Sequence, residues 1–158
     1  MHDKGLAQLQ LGQLDEAVNS LHQAERSLAG LDHVTVGRVH NLRAVNGLAL
    51  GNAQRMRGEL DAARKSYALA IEAAANIRQP TIEAALRNNR ASLAMQAGDT
   101  QLATRLWKRT LELAVQAEHA GLQSQAFNGL GSCALLRHEL DKAADHFQRA
   151  EQIANDEG

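Results

Sequence analysis

The sequence predicts an all-α fold, an array of about four helical hairpins, on three observations. The chain of 158 residues holds 29 Ala and 23 Leu, both strong helix formers, about a third of its length. Strand-favouring residues are scarce: the aromatics number four, Tyr67, Trp107, Phe127 and Phe147, and no run of Val and Ile reads as a buried strand. The third observation is an internal repeat. Four segments align without gaps: Gly12-Gln13-Leu14-Asp15-Glu16-Ala17, Gly58-Glu59-Leu60-Asp61-Ala62-Ala63, Gly98-Asp99-Thr100-Gln101-Leu102-Ala103 and His138-Glu139-Leu140-Asp141-Lys142-Ala143. The last three are 40 residues apart and the first gap is 46.

Four residues after the alanine of each segment stands a large apolar side chain: Leu21, Tyr67, Trp107 or Phe147. Three residues further on comes Ala24, Ala70, Thr110 or Ala150. This i, i+4, i+7 stripe of small, large and small residues is one face of a helix. Upstream of each segment stands a small residue: Gly5, Gly51 after Leu50, Ala91 after Arg90, and Gly131 after Leu130. A glycine inside a helix costs about 1 kcal/mol relative to alanine, so its recurrence points to a close helix–helix contact. The repeat therefore predicts first helices over 3–11, 34–57, 80–97 and 122–137, and second helices over 13–29, 60–78, 100–119 and 140–155.

Single residues refine the ends. Asp32 and Asp99 suit N-cap or turn positions, and Pro80 the first turn of a helix. The longer first gap is expected to extend the segment around Leu31–Val39, with Gly37 breaking or kinking it. Helices in the middle of an array are buried on two sides, and Leu69 and Val115 are accordingly read as covered. The last helix carries one narrow stripe, Leu140, Ala143, Ala144, Phe147, Ala150 and Ala154, and reads as a finished end. At the other end Leu6, Leu9 and Leu11 would be only partly covered, from a truncated first repeat or an edge that meets a partner or a second copy.

The stripe resembles the tetratricopeptide repeat, with Leu-Gly in the first helix and Ala-x-x-x-aromatic-x-x-Ala in the second. The resemblance runs over about residues 3–155 and is to the 40-residue variant of bacterial transcriptional activators, signalling ATPases and some eukaryotic scaffolds. It departs at Arg90, where leucine is expected, at His138, where the turn glycine is expected, and in lacking the usual proline after the second helix. The resemblance implies a right-handed α-α superhelix, a single solenoid domain over 1–158 with repeats at about 1–31, 32–79, 80–119 and 120–158. It also implies that first helices line a concave groove holding a peptide or protein segment.

Helical spacing places Val45, Leu48, Asn52 and Arg55, then Ala85, Asn88, Ser92 and Met95, then Gln125, Asn128, Ser132 and Leu135 on that face. Asn89 stands at its edge, and Arg90 beside it. Asparagine offers a donor and an acceptor, so a ladder of amides can bind the main chain of an extended segment; apolar pockets near Leu48, Met95, Leu135 and Leu136 would add specificity. The candidate binding residues are thus Asn52, Arg55, Asn88, Asn89, Arg90, Ser92, Asn128 and Ser132. Residues 33–109 hold twelve basic and five acidic side chains, against two and five before them and three and eight after. A basic middle favours an acidic partner, through Arg55, Arg87 and Arg90, with Arg43 near the groove's mouth. Most of the remaining cations read as solvated, among them Arg64, Lys65, Arg105, Lys108 and Arg109 on second helices.

Catalysis finds little to stand on. The seven histidines include no His-Glu-x-x-His motif and no i, i+4 pair, so neither metal nor other cofactor is expected. His138 and His146 are expected to be exposed, and the lone Cys133 to pack as a small apolar residue. No phosphate loop accompanies Gly129-Leu130-Gly131, and no carboxylate pair sits in an apolar stretch. A net charge of −1 gives no general attraction to nucleic acid or membrane, and three of the four aromatics are taken by packing. No apolar run approaches the length of a membrane span, and no signal peptide is apparent, so a cytoplasmic location is expected. The function expected is a non-enzymatic peptide- or protein-binding adaptor or regulatory scaffold. The rival readings are a sensor domain of a bacterial signalling or transcription system, and a scaffold that dimerises through its N-terminal edge.

Overall fold

A computed structural model describes residues 2–29 and 36–156. Asp32, His33 and most of the segment around Leu31 lie outside the described residues. Eight helices run among them: α1 His2–Gln10, α2 Leu14–Ala29, α3 Val36–Met56, α4 Leu60–Asn76, α5 Pro80–Gln96, α6 Thr100–Gln116, α7 Ala120–Leu136 and α8 Leu140–Asp156. They form four hairpins, as the repeat predicts. Packing divides the chain into two compact units, Met1–Ile82 and Glu83–Gly158. The first holds α1 to α4 and the first turn of α5; the second holds the rest.

The repeat stripe is the core of each unit. Ala17, Ala63, Ala103 and Ala143 are buried, as are Ala24, Ala70, Thr110 and Ala150. Between them Leu21, Tyr67 and Trp107 are buried and Phe147 is half-buried. A Cβ added at Gly5 would stand 2.7 Å from the Leu21 side chain, and one at Gly131 2.7 Å from the Phe147 ring. One at Gly51 would overlap the Tyr67 ring. The small residue of the first helix is therefore the floor on which the large residue of the second helix lies. Hairpin three differs. There Ala91 occupies the small position, and the Trp107 ring lies against Gly129 of α7. Ala91, Trp107, Ala126, Leu130 and Cys133 share one buried cluster.

All six turns among the described residues repeat one hydrogen-bond pattern. At Gly12, Gly58, Gly98 and His138 the turn residue's N–H donates to the carbonyl three residues back, and the next N–H donates five residues back (Glu59 to Gln54, 2.8 Å; Asp99 to Ala94, 2.9 Å). Arg78 and Glu118, which join one hairpin to the next, do the same. This pattern closes the last helical carbonyls with a residue in the left-handed conformation, which glycine adopts without steric cost. Glycine fills three of the six positions; Arg78, Glu118 and His138 take φ of 51°, 52° and 59°. Of the caps, Asp99 accepts from the Leu102 N–H at 2.9 Å as expected, and His119 Nδ1 accepts from Leu122 N–H at 3.3 Å. Pro80 opens α5.

Some expectations are corrected. α3 begins one residue before Gly37 and runs unbroken, because the first turn of a helix has no preceding turn for a glycine to weaken. Leu69 is 68% exposed and Val115 56%, because second helices keep an outer face to solvent. In α8 only Ala143 and Ala150 are fully buried, and Leu140 is 66% exposed. His138 is exposed, but His146 is half-buried and its ring lies 6.0 Å from that of Phe127. Burial pushes the His146 imidazole below its ordinary value, favouring the neutral ring. At the N-terminal edge Leu6 and Leu9 pack on the cluster of Val18, Leu21, Ala49 and Leu50, while Leu11 stays exposed.

A second, polar repeat accompanies the apolar one. Ser20 Oγ donates to Gln8 Oε1 at 2.7 Å, and Ser66 Oγ donates to Gln54 Oε1 at 2.7 Å. The same two positions in hairpin three hold Leu106 and Ala94, both buried. A long glutamine facing a short serine is exchanged there for a short alanine facing a long leucine, which keeps the volume and removes the hydrogen bond. In hairpin four they hold His146 and Ala134, and His146 Nδ1 is buried with no partner among the described residues.

Two predictions follow from these contacts. His138→Gly should raise the unfolding free energy by up to about 1 kcal/mol in denaturant titration, by removing left-handed strain at an exposed turn. Gln54→Ala should cost about 1–3 kcal/mol, since it leaves a cavity at a buried position and removes the acceptor of the Ser66 hydroxyl. The double variant Gln54→Ala, Ser66→Leu, which installs the pair of hairpin three, should recover most of that loss in the same titration; a double variant as unstable as the single would refute the exchange.

Candidate functional site

In the second unit α5 and α7 present their polar faces to an open groove of about 510 Å³, lined by Asn88, Ser92, Met95, Gln125, Asn128 and Ser132. Trp107 of α6 and Gly129 of α7 form part of its floor. Helical spacing brings Asn88, Ser92 and Met95 onto one side, and Gln125, Asn128 and Ser132 onto the other, as the sequence predicts. Four of the eight predicted binding residues are thus gathered in one concavity: Asn88, Ser92, Asn128 and Ser132.

Their hydrogen bonds are not those of a uniform ladder. The Trp107 indole N–H donates to Asn88 Oδ1 at 3.0 Å, and Asn88 Nδ2 donates to Gln125 Oε1 at 2.8 Å. Both ends of the Asn88 amide are engaged. Asn128 occupies the equivalent position one repeat on, and its side chain is exposed. The aromatic nineteen residues after it is Phe147 rather than Trp107, and phenylalanine has no N–H to donate. The serines also differ from free donors. Ser92 Oγ donates to the Asn88 carbonyl at 3.1 Å and Ser132 Oγ to the Asn128 carbonyl at 2.9 Å, which leaves the oxygen lone pairs toward the groove.

In the first unit Asn52 and Arg55 meet at the phenol of Tyr67. The Tyr67 hydroxyl donates to Asn52 Oδ1 at 2.7 Å. Burial raises the phenol above its ordinary value and the nearby Arg55 guanidinium partly opposes this, so the hydroxyl stays protonated. Asn89 and Arg90 are half-buried on α5 of the second unit. A separate cleft of about 290 Å³ opens between α2, α3 and α4, with Gly47, Leu50 and Ala70 among its walls and Glu25, Arg43 and Glu72 at its rim. None of the predicted site residues lines it.

The expected cationic lining is reduced by pairing. Arg87 turns to the buried carboxylate of Glu83, with Nε at 2.8 Å and the terminal nitrogen at 2.7 Å from Oε1. Arg43 faces Glu25 at 3.7 Å. Both arginines were expected to contribute to an acidic-ligand site, and both instead have carboxylate partners on the protein. The signal was present in the sequence: Glu83 and Arg87 are four apart on one helix, the spacing of a helical ion pair. Sequence reasoning also passed over the tie between Trp107 and Asn88, which helical spacing within one element cannot reveal. Gln125 was placed on the groove face but not among the binding residues. Among the described residues no three of His, Cys, Asp and Glu are grouped to hold a metal ion, and no helix is long and apolar enough to cross a membrane. Cys133 is buried, its sulfur 3.8 Å from the Thr100 carbonyl.

Helical hairpins with small-on-large contacts, αL turns and a polar first-helix groove define an all-α repeat protein of the tetratricopeptide-like solenoid class. Residues 82–156, nearly the whole second unit, match the tetratricopeptide repeat family. Tetratricopeptide repeats in general mediate protein–protein interactions and are not typically catalytic. A search of curated proteins by sequence finds no match. Among solved structures the chain is similar to BtubC (BKLC) from P. vanneervenii, with a TM-score of 0.79 and 18% identity, over 96% of this chain and 60% of that one. It is also similar to MamA, with a TM-score of 0.61 and 15% identity, over 97% and 95% of the two chains. The chain thus spans 60% of the length of BtubC, and at these identities the likeness is one of fold.

Proposed function

We propose that the groove of the second unit holds an extended protein or peptide segment, and that the protein acts as an adaptor or regulatory scaffold without catalysis. The observation that carries this reading is the composition of the groove: uncharged hydrogen-bonding side chains on two facing helices, over a floor of Trp107 with Met95 beside it. A main chain alternates donors and acceptors, and Gln125, Asn128, Ser92 and Ser132 supply both kinds. In this reading Met95 offers an apolar contact for a side chain of the bound segment. Asn52 and Arg55, beside the Tyr67 hydroxyl, are the corresponding candidates in the first unit. The pairing of Arg43 with Glu25 and of Arg87 with Glu83 lowers any preference for an acidic partner. A cytoplasmic location is in keeping with a single buried thiol.

The test is selection of a random 12-residue peptide display library on the full chain. Ser132→Arg, which sets a long cation in the groove from an exposed helix face, should keep the helical circular dichroism of the wild type and weaken the selected peptides at least about tenfold, through steric block and lost burial. A library that yields no binder, or binders indifferent to Ser132→Arg, would overturn the groove reading.

A further inference from the structure

We propose that Asn88 is a positioning residue rather than a contact for the bound segment, and that it sets Gln125 as the groove's donor, the group that recognises a carbonyl oxygen. The inference rests on the groove reading above and deepens it. Its starting point is the indole of Trp107, which has one N–H and no acceptor, so its bond to Asn88 at 3.0 Å assigns the oxygen of that amide without ambiguity. The Asn88 nitrogen is then the atom facing Gln125 at 2.8 Å, and a nitrogen with hydrogens requires an acceptor, which assigns Gln125 Oε1 in turn. The relay runs one way, from α6 through α5 to α7, and it ends in the Gln125 NH2 group. Gln125 is exposed on the groove's lining, and no described residue takes the hydrogens of its Nε2.

The remaining polar atoms have the opposite sense. The Ser92 and Ser132 hydroxyl hydrogens are spent on their own helices, at 3.1 and 2.9 Å, so their oxygens accept. The groove therefore carries a donor at Gln125, acceptors at the two serines, and an amide of both kinds at Asn128. That pattern fits an uncharged main chain presenting a C=O to Gln125 and N–H groups to the serines. It fits an isolated carboxylate poorly, because the serine lone pairs would repel it. The polarity originates in one residue of the core, since phenylalanine at position 107 would leave both amides free to turn over.

Asn88→Asp is the discriminating variant. Aspartate accepts only, so it keeps the Trp107 bond but now needs a donor from Gln125, whose NH2 turns away from the groove. The probe is an uncharged peptide from the library selection, synthesised with both ends blocked. Gln125→Ala is expected to weaken it about fivefold, the range of one net hydrogen bond. Asn88→Asp should weaken it by a similar factor, and the double variant Asn88→Asp, Gln125→Ala should be no weaker than Gln125→Ala alone. Without peptide, the Gln125 side-chain amide protons should exchange more slowly in Asn88→Asp than in the wild type. If the two losses multiply in the double variant, Asn88 touches the peptide itself and the inference is overturned while the groove reading stands. Unchanged Gln125 exchange also overturns it. If Asn88→Asp disturbs the fold, Asn88→Ala enters the same double-variant cycle with the same expected non-additivity. Binding that survives Ser132→Arg instead removes the groove reading, and this inference with it.

Discussion

Three of the four hairpins depend directly on one steric constraint: where the two helices cross, one of them has no room for a side chain. Burying a large apolar residue stabilises the fold by about 1.5–3 kcal/mol, but only if the neighbouring backbone comes close enough to cover it. Gly5 under Leu21, Gly51 under Tyr67 and Gly131 under Phe147 provide that approach. Hairpin three meets the same requirement by a different route. With Ala91 in the small position, the largest side chain of the chain finds its missing neighbour at Gly129. The indole thereby bridges α6 and α7, and its N–H edge is brought to the groove floor beside Asn88. The chemistry of the groove is in this sense a consequence of which position lacks a Cβ.

The turns show how much local preference this packing overrides. Six turns close with the same two hydrogen bonds, yet only three place glycine at the left-handed residue. At Arg78, Glu118 and His138 the φ of an L-residue is forced positive, at a cost of about 1–2 kcal/mol each. Such strain persists only where the surrounding contacts determine the backbone independently. The repeated length of the hairpins, with seventeen-residue helices from α4 to α8, is that independent determinant.

What the sequence reveals of all this divides along a physical line. Helices, their order and their buried stripe are legible, because periodicity reports which residues share a face, and Ala63, Tyr67 and Ala70 share one wherever the helix goes. The groove face is legible for the same reason. What each groove atom is bonded to is not, because partners lie on other helices. Asn88 and Asn128 are equivalent in the repeat and different in the fold, and the difference is made by Trp107 and Phe147, nineteen residues further along on a neighbouring helix. Arg87 was misread in the opposite way. Its partner Glu83 stands on the same helix, and local ion pairing outcompetes a groove that carries no fixed negative charge of its own. Outward residues such as Leu69 and Val115 were misread because apolar character alone does not distinguish an inner from an outer face.

The glutamine–serine pairs bear on how such an array can be lengthened or rearranged. Gln8 with Ser20, and Gln54 with Ser66, each join the two helices of one hairpin. Ala94 and Leu106 complement each other in the same way. A crossover falling between hairpins hands on a matched pair. One falling at the tight turn inside a hairpin would set glutamine against leucine, too bulky and without a donor for the glutamine oxygen, or alanine against serine, leaving a void and a stranded hydroxyl. By these pairs a whole hairpin is the inheritable module, except that hairpin three must travel with hairpin four, whose Gly129 receives the Trp107 ring.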